Sequence, residues 1–427
     1  MKLLYNIGMW IAPVIVWAGS LFSRKLKLFR EGRKGLISLL RQRISESGAK
    51  NIVWFHCASV GEFEQARPII EWYKGNAEGW KVLLTFFSPS GYELRKNYNG
   101  ADWVFYLPID TPSNAKAFIE AVKPKTVIFT KYDLWYNFIE QARLSGAKLY
   151  LISAIFRGDQ IYFKWYGGFF RKMLRSFNNI FVQDIASYGL LKSIDITEEV
   201  IVNGDTRFDR VEKIAGESKQ FAVIEEFVKG SFSLVAGSSW QPDDALIAEV
   251  MKNFPKMKLV VAPHEIHKER IEELSEIYKE YGVVNYSEIR EDVERELVSA
   301  LPHSHFDGKR VLVIDCLGIL SSLYRYADFA YIGGGFGAGI HNTLEAAVYG
   351  VPLAFGPKYK KFKEAKDLIA ANGAVSVSNV SELYQILDSC VKEPLLRSQM
   401  GSRCREYVEH HIGASEQIIE VLKEFSL

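Results

Sequence analysis

Short apolar runs alternate with helical stretches along most of the chain from residue 51 onward. Most of these runs are hydrophobic on both alternating faces, which is typical of parallel strands buried on both sides of a sheet. Strand–helix alternation in this order predicts an α/β fold with doubly wound parallel sheets. The strand-like runs are 51–59, 81–88, 103–109, 125–133, 148–155, 179–185, 199–204, 231–239, 258–264, 282–287, 310–315, 329–335, 352–357 and 374–379.

The strand pattern falls into two halves of comparable size. A polar stretch at 212–220 interrupts it and is interpreted as a linker, and a loop-like insertion lies around 288–309. We predict two Rossmann-like domains, at 35–211 and 221–410, that face each other across a cleft. The C-terminal segment, 411–427, is expected to form a helix that packs back on the first domain. Since ligands bind beyond the carboxyl ends of parallel strands, functional residues should directly follow strands.

The first residues differ from the rest, because the twenty positions 3–22 contain no charged side chain. A helix of this length is just long enough to cross a hydrocarbon core of about 30 Å. Only Lys2 precedes the run and six bases follow it, so the positive-inside rule places the remaining chain in the cytoplasm. We predict a membrane anchor at 1–22. A shallow helix in the membrane interface and a buried core helix are the alternatives.

Composition narrows the function class. The 427 residues include 53 Lys and Arg against 51 Asp and Glu, a near balance that argues against a nucleic-acid-binding protein. The four cysteines have no CxxC spacing, so neither a zinc ribbon nor a disulfide scaffold is indicated, and a reduced cytosolic setting is expected.

Two acidic residues follow strand-like runs in the first half. Gly61 permits a tight turn after the run 51–59, and Glu62 opens the next helix. An acid in this position can act as a helix cap or as a general base. Asp133, in the segment TKYDLWYN, would face the same cleft if the two strands are near one another.

A glycine-rich segment in the second half suggests an anion site. Five glycines occur between Gly333 and Gly339, after a strand and before a helix expected to start near His341. Backbone N–H groups in such a loop can approach a phosphate, and Glu345 could bind a ribose diol. The pattern does not fit the GxGxxG dinucleotide fingerprint, and a purely structural glycine turn remains the alternative.

No metal site is expected. His264 and His267 are three residues apart, whereas the HExxH zinc pattern needs histidines four apart. Nor does an Asp-x-Asp pair follow a strand.

The stretch 157–177 holds five bases and seven aromatic residues with one acid. Interleaved aromatic and basic residues on a helix suit the boundary between lipid headgroups and acyl chains. Ordinary packing of the aromatic residues is the alternative.

Taken together, several segments resemble the bacterial 3-deoxy-D-manno-octulosonic acid (Kdo) transferases. The resemblance covers nearly the whole chain and rests on HCASVGEFEQARPII (56–70), TKYDLWYN (130–137), NGDTRFD (203–209), 314–336 and HNTLEAAVYGVPLAFGP (341–357). It implies a GT-B glycosyltransferase anchored at the cytoplasmic face of the inner membrane. Such enzymes transfer Kdo from CMP-Kdo to a lipid A precursor in lipopolysaccharide synthesis, with inversion at the anomeric carbon.

The resemblance also implies roles for individual residues. Glu62 would take the proton from the attacking sugar hydroxyl, and no metal or further cofactor would be needed. The residues implied at the CMP-Kdo donor are Ser238, Ser239, His264, Arg207, Gly335, Gly337, Asn342 and Glu345. Lys131 stands where the family often has an acid, which leaves the role of Asp133 open. Ala262-Pro263-His264 replaces a Pro-Arg-His segment, so a phosphate-contacting arginine is missing and His264 is the expected substitute.

Three other functions remain open on the sequence alone. Another GT-B enzyme would use a UDP-sugar and a lipid-linked acceptor without requiring the SVGE turn. A dinucleotide-dependent oxidoreductase would carry a glycine fingerprint in its first strand–helix unit. A non-catalytic lipid-binding scaffold would tolerate replacement of Glu62.

Overall fold

A computed structural model describes residues 1–217, 219–289 and 306–426. The chain forms two compact units, one made of Met1–Arg210 with Ile412–Leu427, and the other of Val211–His411. Most of the insertion predicted at 288–309 lies outside the described residues.

The first unit is built on a seven-stranded parallel sheet with the order β3-β2-β1-β4-β5-β6-β7. Its strands are β1 (Asn51–Cys57), β2 (Trp80–Phe86), β3 (Trp103–Tyr106), β4 (Thr126–Thr130), β5 (Lys148–Ala154), β6 (Asn179–Val182) and β7 (Val200–Val202). Its helices are α1 (Lys2–Gly19), α2 (Arg24–Glu31), α3 (Leu36–Ser47), α4 (Val60–Asn76), α5 (Pro89–Arg95), α6 (Pro112–Val122), α7 (Tyr136–Leu144), α8 (Gly168–Leu174), α9 (Ile185–Lys192) and, from the C-terminus, α19 (Ala414–Ser426). Helix α10 (Arg207–Gly216) begins in the first unit and ends in the second.

Both faces of this sheet are covered, which explains why its strands are apolar throughout. On one face Trp54 packs against Phe129 with their rings 5.6 Å apart. On the other face Phe55 and Ile128 belong to a second buried cluster, to which α19 contributes Ile418 and Leu422.

The second unit has a seven-stranded parallel sheet with the order β10-β11-β9-β8-β12-β13-β14. Its strands are β8 (Ser233–Ser239), β9 (Lys258–Pro263), β10 (Val283–Asn285), β11 (Val311–Val313), β12 (Phe329–Ile332), β13 (Leu353–Phe355) and β14 (Ala374–Ser376). Its helices are α11 (Ala222–Val228), α12 (Gln241–Met251), α13 (Lys268–Ile277), α14 (Leu320–Leu323), α15 (Leu344–Ala347), α16 (Lys363–Ala370), α17 (Val380–Lys392) and α18 (Pro394–Glu409).

The predicted fold class is confirmed, since each strand-like run of the sequence contains a strand and both sheets are parallel. The polar stretch interpreted as a linker begins inside α10, which extends through Gly216, and the boundary between the two units lies in the same helix, after Arg210. The polar side chains there lie on a helix surface, and Glu212 pairs with Arg405 through two hydrogen bonds of 2.6 and 2.9 Å.

The apolar N-terminal segment forms α1, the one described helix that is long and apolar enough to cross a membrane. Of its side chains only Asn6 is buried. Leu4, Trp10, Val14 and other large apolar side chains are exposed to solvent. A core helix would bury such residues, so the core-helix alternative does not hold.

Candidate active site

Glu62 and Asp133 follow neighbouring strands at the point where the strand order of the first sheet reverses. β1 lies between β2 and β4, so this edge is the topological switch point at which doubly wound sheets bind ligands. Glu62 lies in the first turn of α4, and Asp133 lies three residues after β4. The structure therefore brings the two acidic residues together within the first unit.

The carboxylate of Glu62 folds back on the turn that precedes its own helix. It accepts hydrogen bonds from the backbone amides of Ala58 and Ser59. Ser59 is the N-cap residue of α4 and Glu62 is its third residue, the position from which an acid reaches back in a capping box. Capping is therefore one role of Glu62, and the general-base role has to be judged from its electrostatics.

Glu62 is buried, with 8% of its surface exposed. This burial, and next the negative charge of Asp133, raise the pKa of Glu62 from 4.5 to about 7. The backbone amides of Ala58 and Ser59 and the positive charge of Lys131 act in the opposite direction. A carboxyl group with a pKa near neutrality accepts a proton more readily than an ordinary glutamate.

His56 belongs to the same site, although the sequence analysis did not identify it. Its Nε2 lies 3.5 Å from Oδ2 of Asp133, and its Nδ1 lies 3.0 Å from Oγ1 of Thr85. Trp135 donates from Nε1 to the same Asp133 oxygen at 3.2 Å. The hydrogen bond from Trp135 orients Asp133, and the ring of His56 lies beside the same carboxylate. The signal available in the sequence was a histidine among the last residues of an otherwise apolar strand.

The glycine loop of the second unit follows β12, at the switch point where β8 lies between β9 and β12. A Cβ on Gly335 would come within 2.5 Å of the backbone of Gly356. The amides of Gly337 and Gly339 both donate to the carbonyl of Gly334, at 3.0 and 3.3 Å. Close backbone packing thus accounts for part of this glycine run. Binding of the donor by Gly335 and Gly337 stays a prediction.

A buried acid that the sequence analysis missed holds the glycine loop. Asp243, 1% exposed, accepts hydrogen bonds from the amide of Gly334 at 2.9 Å and from the hydroxyl of Tyr331 at 3.0 Å. Beside it, Asp244 forms a buried ion pair with Arg270. Burial raises the pKa of Asp244 to about 6, against the effect of Arg270. Asp243 therefore fixes the start of the glycine loop, and Arg270 compensates the buried charge of Asp244, which would be costly if unpaired.

The helix expected near His341 begins later, at Leu344, and spans only Leu344–Ala347. Asn342 precedes it, accepting from the amide of Leu344 at 3.2 Å and donating to Glu345 at 3.1 Å. The side chain of Asn342 thus links the backbone at the start of this short helix to the carboxylate of Glu345.

The two serines implied at the donor come from the last residues of β8. Ser238 adopts a left-handed backbone with φ of 53°. Ser239 is buried and interacts with Asp244. Ser238, Ser239, Asn342, Glu345 and the glycine loop thus belong to the same unit.

His264 joins an aromatic stack at this edge of the second sheet. Its ring stacks on Trp240 at 4.7 Å and on His341 at 4.4 Å. Trp240 donates from Nε1 to Nε2 of His341 at 3.2 Å. Burial, and next the proximity of His264, lower the pKa of His341 to about 4, so its ring is neutral at pH 7.

The other histidine considered for zinc has a different role, since His267 caps α13 by accepting from the amide of Arg270 at 3.2 Å. Within the described ranges, no group of three His, Cys, Asp or Glu side chains could hold a metal ion.

Arg207, implied as a donor contact, lies in the first unit at the start of α10. Its Nε donates to Asp205 at 2.9 Å. Asp205 is buried and also accepts from Gln65 at 3.1 Å. A contact of Arg207 with the donor stays a prediction.

The aromatic and basic stretch 157–177 is not one continuous helix, because α8 covers only Gly168–Leu174. Tyr162 and Phe177 are buried in the core, as the packing alternative expected. Trp165, by contrast, is 91% exposed, and Tyr166 beside it is also exposed. The packing interpretation is therefore confirmed for Tyr162 and Phe177, and contact of Trp165 and Tyr166 with lipid stays a prediction.

Comparison with known proteins identifies the relatives of this chain. Residues 33–210 match the family model described as 3-deoxy-D-manno-octulosonic-acid transferase (kdotransferase). A 3-deoxy-D-manno-octulosonic acid transferase of Chlamydia muridarum is 25% identical over 387 residues, covering 88% of this chain and 86% of the relative. One of Aquifex aeolicus is 27% identical over 347 residues, covering 79% of this chain and 86% of the relative.

A solved structure supports the fold. The crystal structure of a UDP-N-acetylglucosamine 2-epimerase from Listeria monocytogenes, described as putative, superposes with a TM-score of 0.56 at 14% identity, covering 88% of this chain and 96% of the other. The two parallel seven-stranded sheets are of the GT-B type. The resemblance to the Kdo transferases inferred from the sequence motifs is confirmed, since residues 33–210 match that family's model and relatives named as 3-deoxy-D-manno-octulosonic acid transferases align with most of the chain.

Proposed function

We propose that this enzyme transfers Kdo from CMP-Kdo to a sugar hydroxyl of a lipid A precursor, lipid IVA, with inversion at the anomeric carbon. The relatives named as Kdo transferases support Kdo as the transferred sugar. The observation that carries the mechanism is Glu62, a buried carboxyl group with a pKa near 7 beside a second acid at a switch point.

In the proposed reaction Glu62 is the general base. The acceptor hydroxyl oxygen attacks the anomeric carbon of Kdo, and its proton passes to the Glu62 carboxylate. The bond between that carbon and the CMP phosphate oxygen breaks, and CMP leaves with the electron pair. A sugar hydroxyl is a weak nucleophile at neutral pH, and a positioned base contributes about 10²–10⁴-fold to the rate. A single displacement inverts the configuration.

Asp133 is proposed to act on this base rather than on the substrate. Its negative charge raises the pKa of Glu62, which makes the carboxylate a stronger base once it is ionised. Lys131, at a position where an acid was expected, limits this effect and prevents the pKa from rising further. Asp133 is therefore a positioning residue for the reaction.

The second unit is proposed to bind CMP-Kdo. Glu345, oriented by Asn342 at 3.1 Å, would accept hydrogen bonds from the ribose hydroxyls. Ser238, Ser239, Gly335 and Gly337 would surround the phosphate. His264 would contact its negative charge in place of the missing arginine. We expect the transfer to need no metal.

Mass spectrometry of the products made from CMP-Kdo and a tetra-acylated lipid A precursor tests the proposal. The wild type should add Kdo, UDP-GlcNAc should not replace CMP-Kdo, and Glu62→Gln should lose at least 100-fold in rate. The matched control is Glu120→Gln, an exposed acid on α6. Turnover by Glu62→Gln close to that of the wild type would remove Glu62 from the mechanism. Transfer from UDP-GlcNAc, with none from CMP-Kdo, would overturn CMP-Kdo as the proposed donor.

A further inference from the structure

The N-terminal end of α1 is fastened to the body of the first unit by a polar cluster. The hydroxyl of Tyr5 donates to Oδ2 of Asp110 at 2.6 Å, and Asn137 donates from Nδ2 to Oδ1 of Asn6 at 2.9 Å. Asp110 is fully buried and also accepts from the amides of Asn137 and Phe138, each at 3.0 Å. The ring of Tyr5 lies 5.7 Å from that of Phe169.

The chain that leaves the other end of α1 returns to the same body. Phe29 of α2 packs on Phe87 with ring centroids 5.2 Å apart. Arg33 donates to the carbonyls of Leu107 and Phe87 at 2.8 and 2.7 Å. Leu107 and Asp110 lie on the same loop after β3, so the first turns of α1 and the segment that follows α1 are tied to one region of one unit.

These attachments conflict with a helix that crosses a bilayer, because the two ends of a spanning helix lie on opposite sides of the membrane. From Tyr5 to Gly19 the helix rises about 21 Å, less than a hydrocarbon core of about 30 Å. A re-entrant path would draw the bases of α2 towards the hydrocarbon, which is costly.

We infer that α1 lies in the plane of the membrane interface, docked by Tyr5 and Asn6, and that it contacts anionic phospholipid on one side of the bilayer. Its exposed side chains are apolar and include two interfacial tryptophans, and bases stand at both of its ends. The large exposed apolar residues are Leu3, Leu4, Ile7, Trp10, Ile11, Val14, Ile15 and Trp17, and the bases are Lys2, Arg24, Lys25 and Lys27.

This inference deepens the membrane association expected of the proposed function. Its test reads topology instead of sugar transfer, so the two can fail independently.

Cysteine pairs in membrane vesicles containing the full chain test the docking. Cys316→Ser gives the background, because the other three cysteines are buried. Asn6→Cys with Asn137→Cys should form an intramolecular disulfide on oxidation, whereas Leu4→Cys with Asn137→Cys should not, because Leu4 is exposed on another face of α1. Absence of the first disulfide from membrane-bound protein would overturn the docking. A disulfide between two protein molecules would indicate that α1 contacts a second copy of the chain instead of lipid, and would also overturn the inference.

A labelling experiment checks the side of the membrane. Lys2→Cys and Glu409→Cys, each in the Cys316→Ser background, are exposed to a membrane-impermeant maleimide in sealed inside-out vesicles. An in-plane α1 predicts that both react from the same side. Reaction of Lys2→Cys only after the vesicles are opened, with Glu409→Cys reacting before, would show that α1 spans and would overturn the inference.

Discussion

Replacement of Glu62 by glutamine should abolish catalysis and stabilise the fold at the same time. The ionised carboxylate is held in a place that disfavours it, since burial and the charge of Asp133 raise its pKa to about 7. Glutamine has nearly the same shape and keeps an oxygen that can accept from the amide of Ala58. The substitution therefore removes the unfavourable charge while it retains the cap.

The displaced pKa sets the size of this effect. A rise from 4.5 to about 7 corresponds to about 3 kcal/mol of destabilisation once the carboxylate is ionised in both the folded and the unfolded states. At pH values below 4.5 both states are protonated and the penalty is absent. As the pH rises, the unfolded state ionises first and stability is lost, until the folded carboxyl also ionises near pH 7. Glu62→Gln should thus gain about 3 kcal/mol at pH 8 and about 1.4 kcal/mol at pH 5.5.

Hydrogen exchange in the β1 and α4 peptides, read by mass spectrometry, measures this gain locally in the first unit. Protection in Glu62→Gln should exceed that of the wild type at pH 8, and the difference should shrink at pH 5.5. Glu120→Gln, whose side chain is 59% exposed, should show no such change at either pH. A Glu62→Gln effect that is destabilising, or the same at both pH values, would refute the electrostatic reasoning even if catalysis were lost.

Three further substitutions test the neighbouring groups. Asp133→Asn removes a charge that raises the pKa of Glu62, so the acid limb of the pH–rate profile should move to lower pH. The shift should be about one pH unit or less, because burial is the larger cause. An acid limb at the wild-type pH would show that Asp133 does not influence the pKa of Glu62. His264→Ala should raise the pKa of His341 from about 4 but leave it below 6.5, since burial is its main cause; an NMR titration of labelled histidines measures this, and an unchanged value would contradict it. Gly335→Ala should destabilise the second unit by about 2 kcal/mol or more, because its Cβ would meet Gly356 at 2.5 Å. Gly337→Ala is the control and should have a smaller effect, since the nearest atom to its Cβ lies at 3.5 Å. Equal unfolding midpoints for the two variants would refute the packing argument.

The fold could be predicted because its signal is local. A strand buried on both faces must be apolar at nearly every position, as at Ile52–Cys57, and this pattern is visible without any knowledge of neighbours. The helical conformation of 212–216, within the predicted linker, was not recognised for the same reason. Polar residues on an exposed helix face and polar residues in a linker have similar composition, and only the packing of α10 distinguishes them.

The site was predicted less completely, because its geometry depends on which strands are neighbours. Glu62 and Asp133 could be picked out as acids after strands, but their proximity follows from the pairing of β1 with β4. His56 and Asp243 were missed because each lies in or beside a regular element. Their partners, Asp133 for one and Gly334 for the other, are distant in sequence.

Glu62 illustrates why capping and catalysis cannot be separated from sequence alone. An acid that only caps an exposed helix end accepts amide hydrogen bonds, and these lower its pKa. Glu62 accepts the same bonds, yet its pKa is raised, because burial and the charge of Asp133 outweigh them. The cap fixes the direction of the carboxylate, and the surrounding sheet edge determines its basicity. The first of these effects is encoded within four residues of the chain, and the second arises only when β1 and β4 are brought side by side.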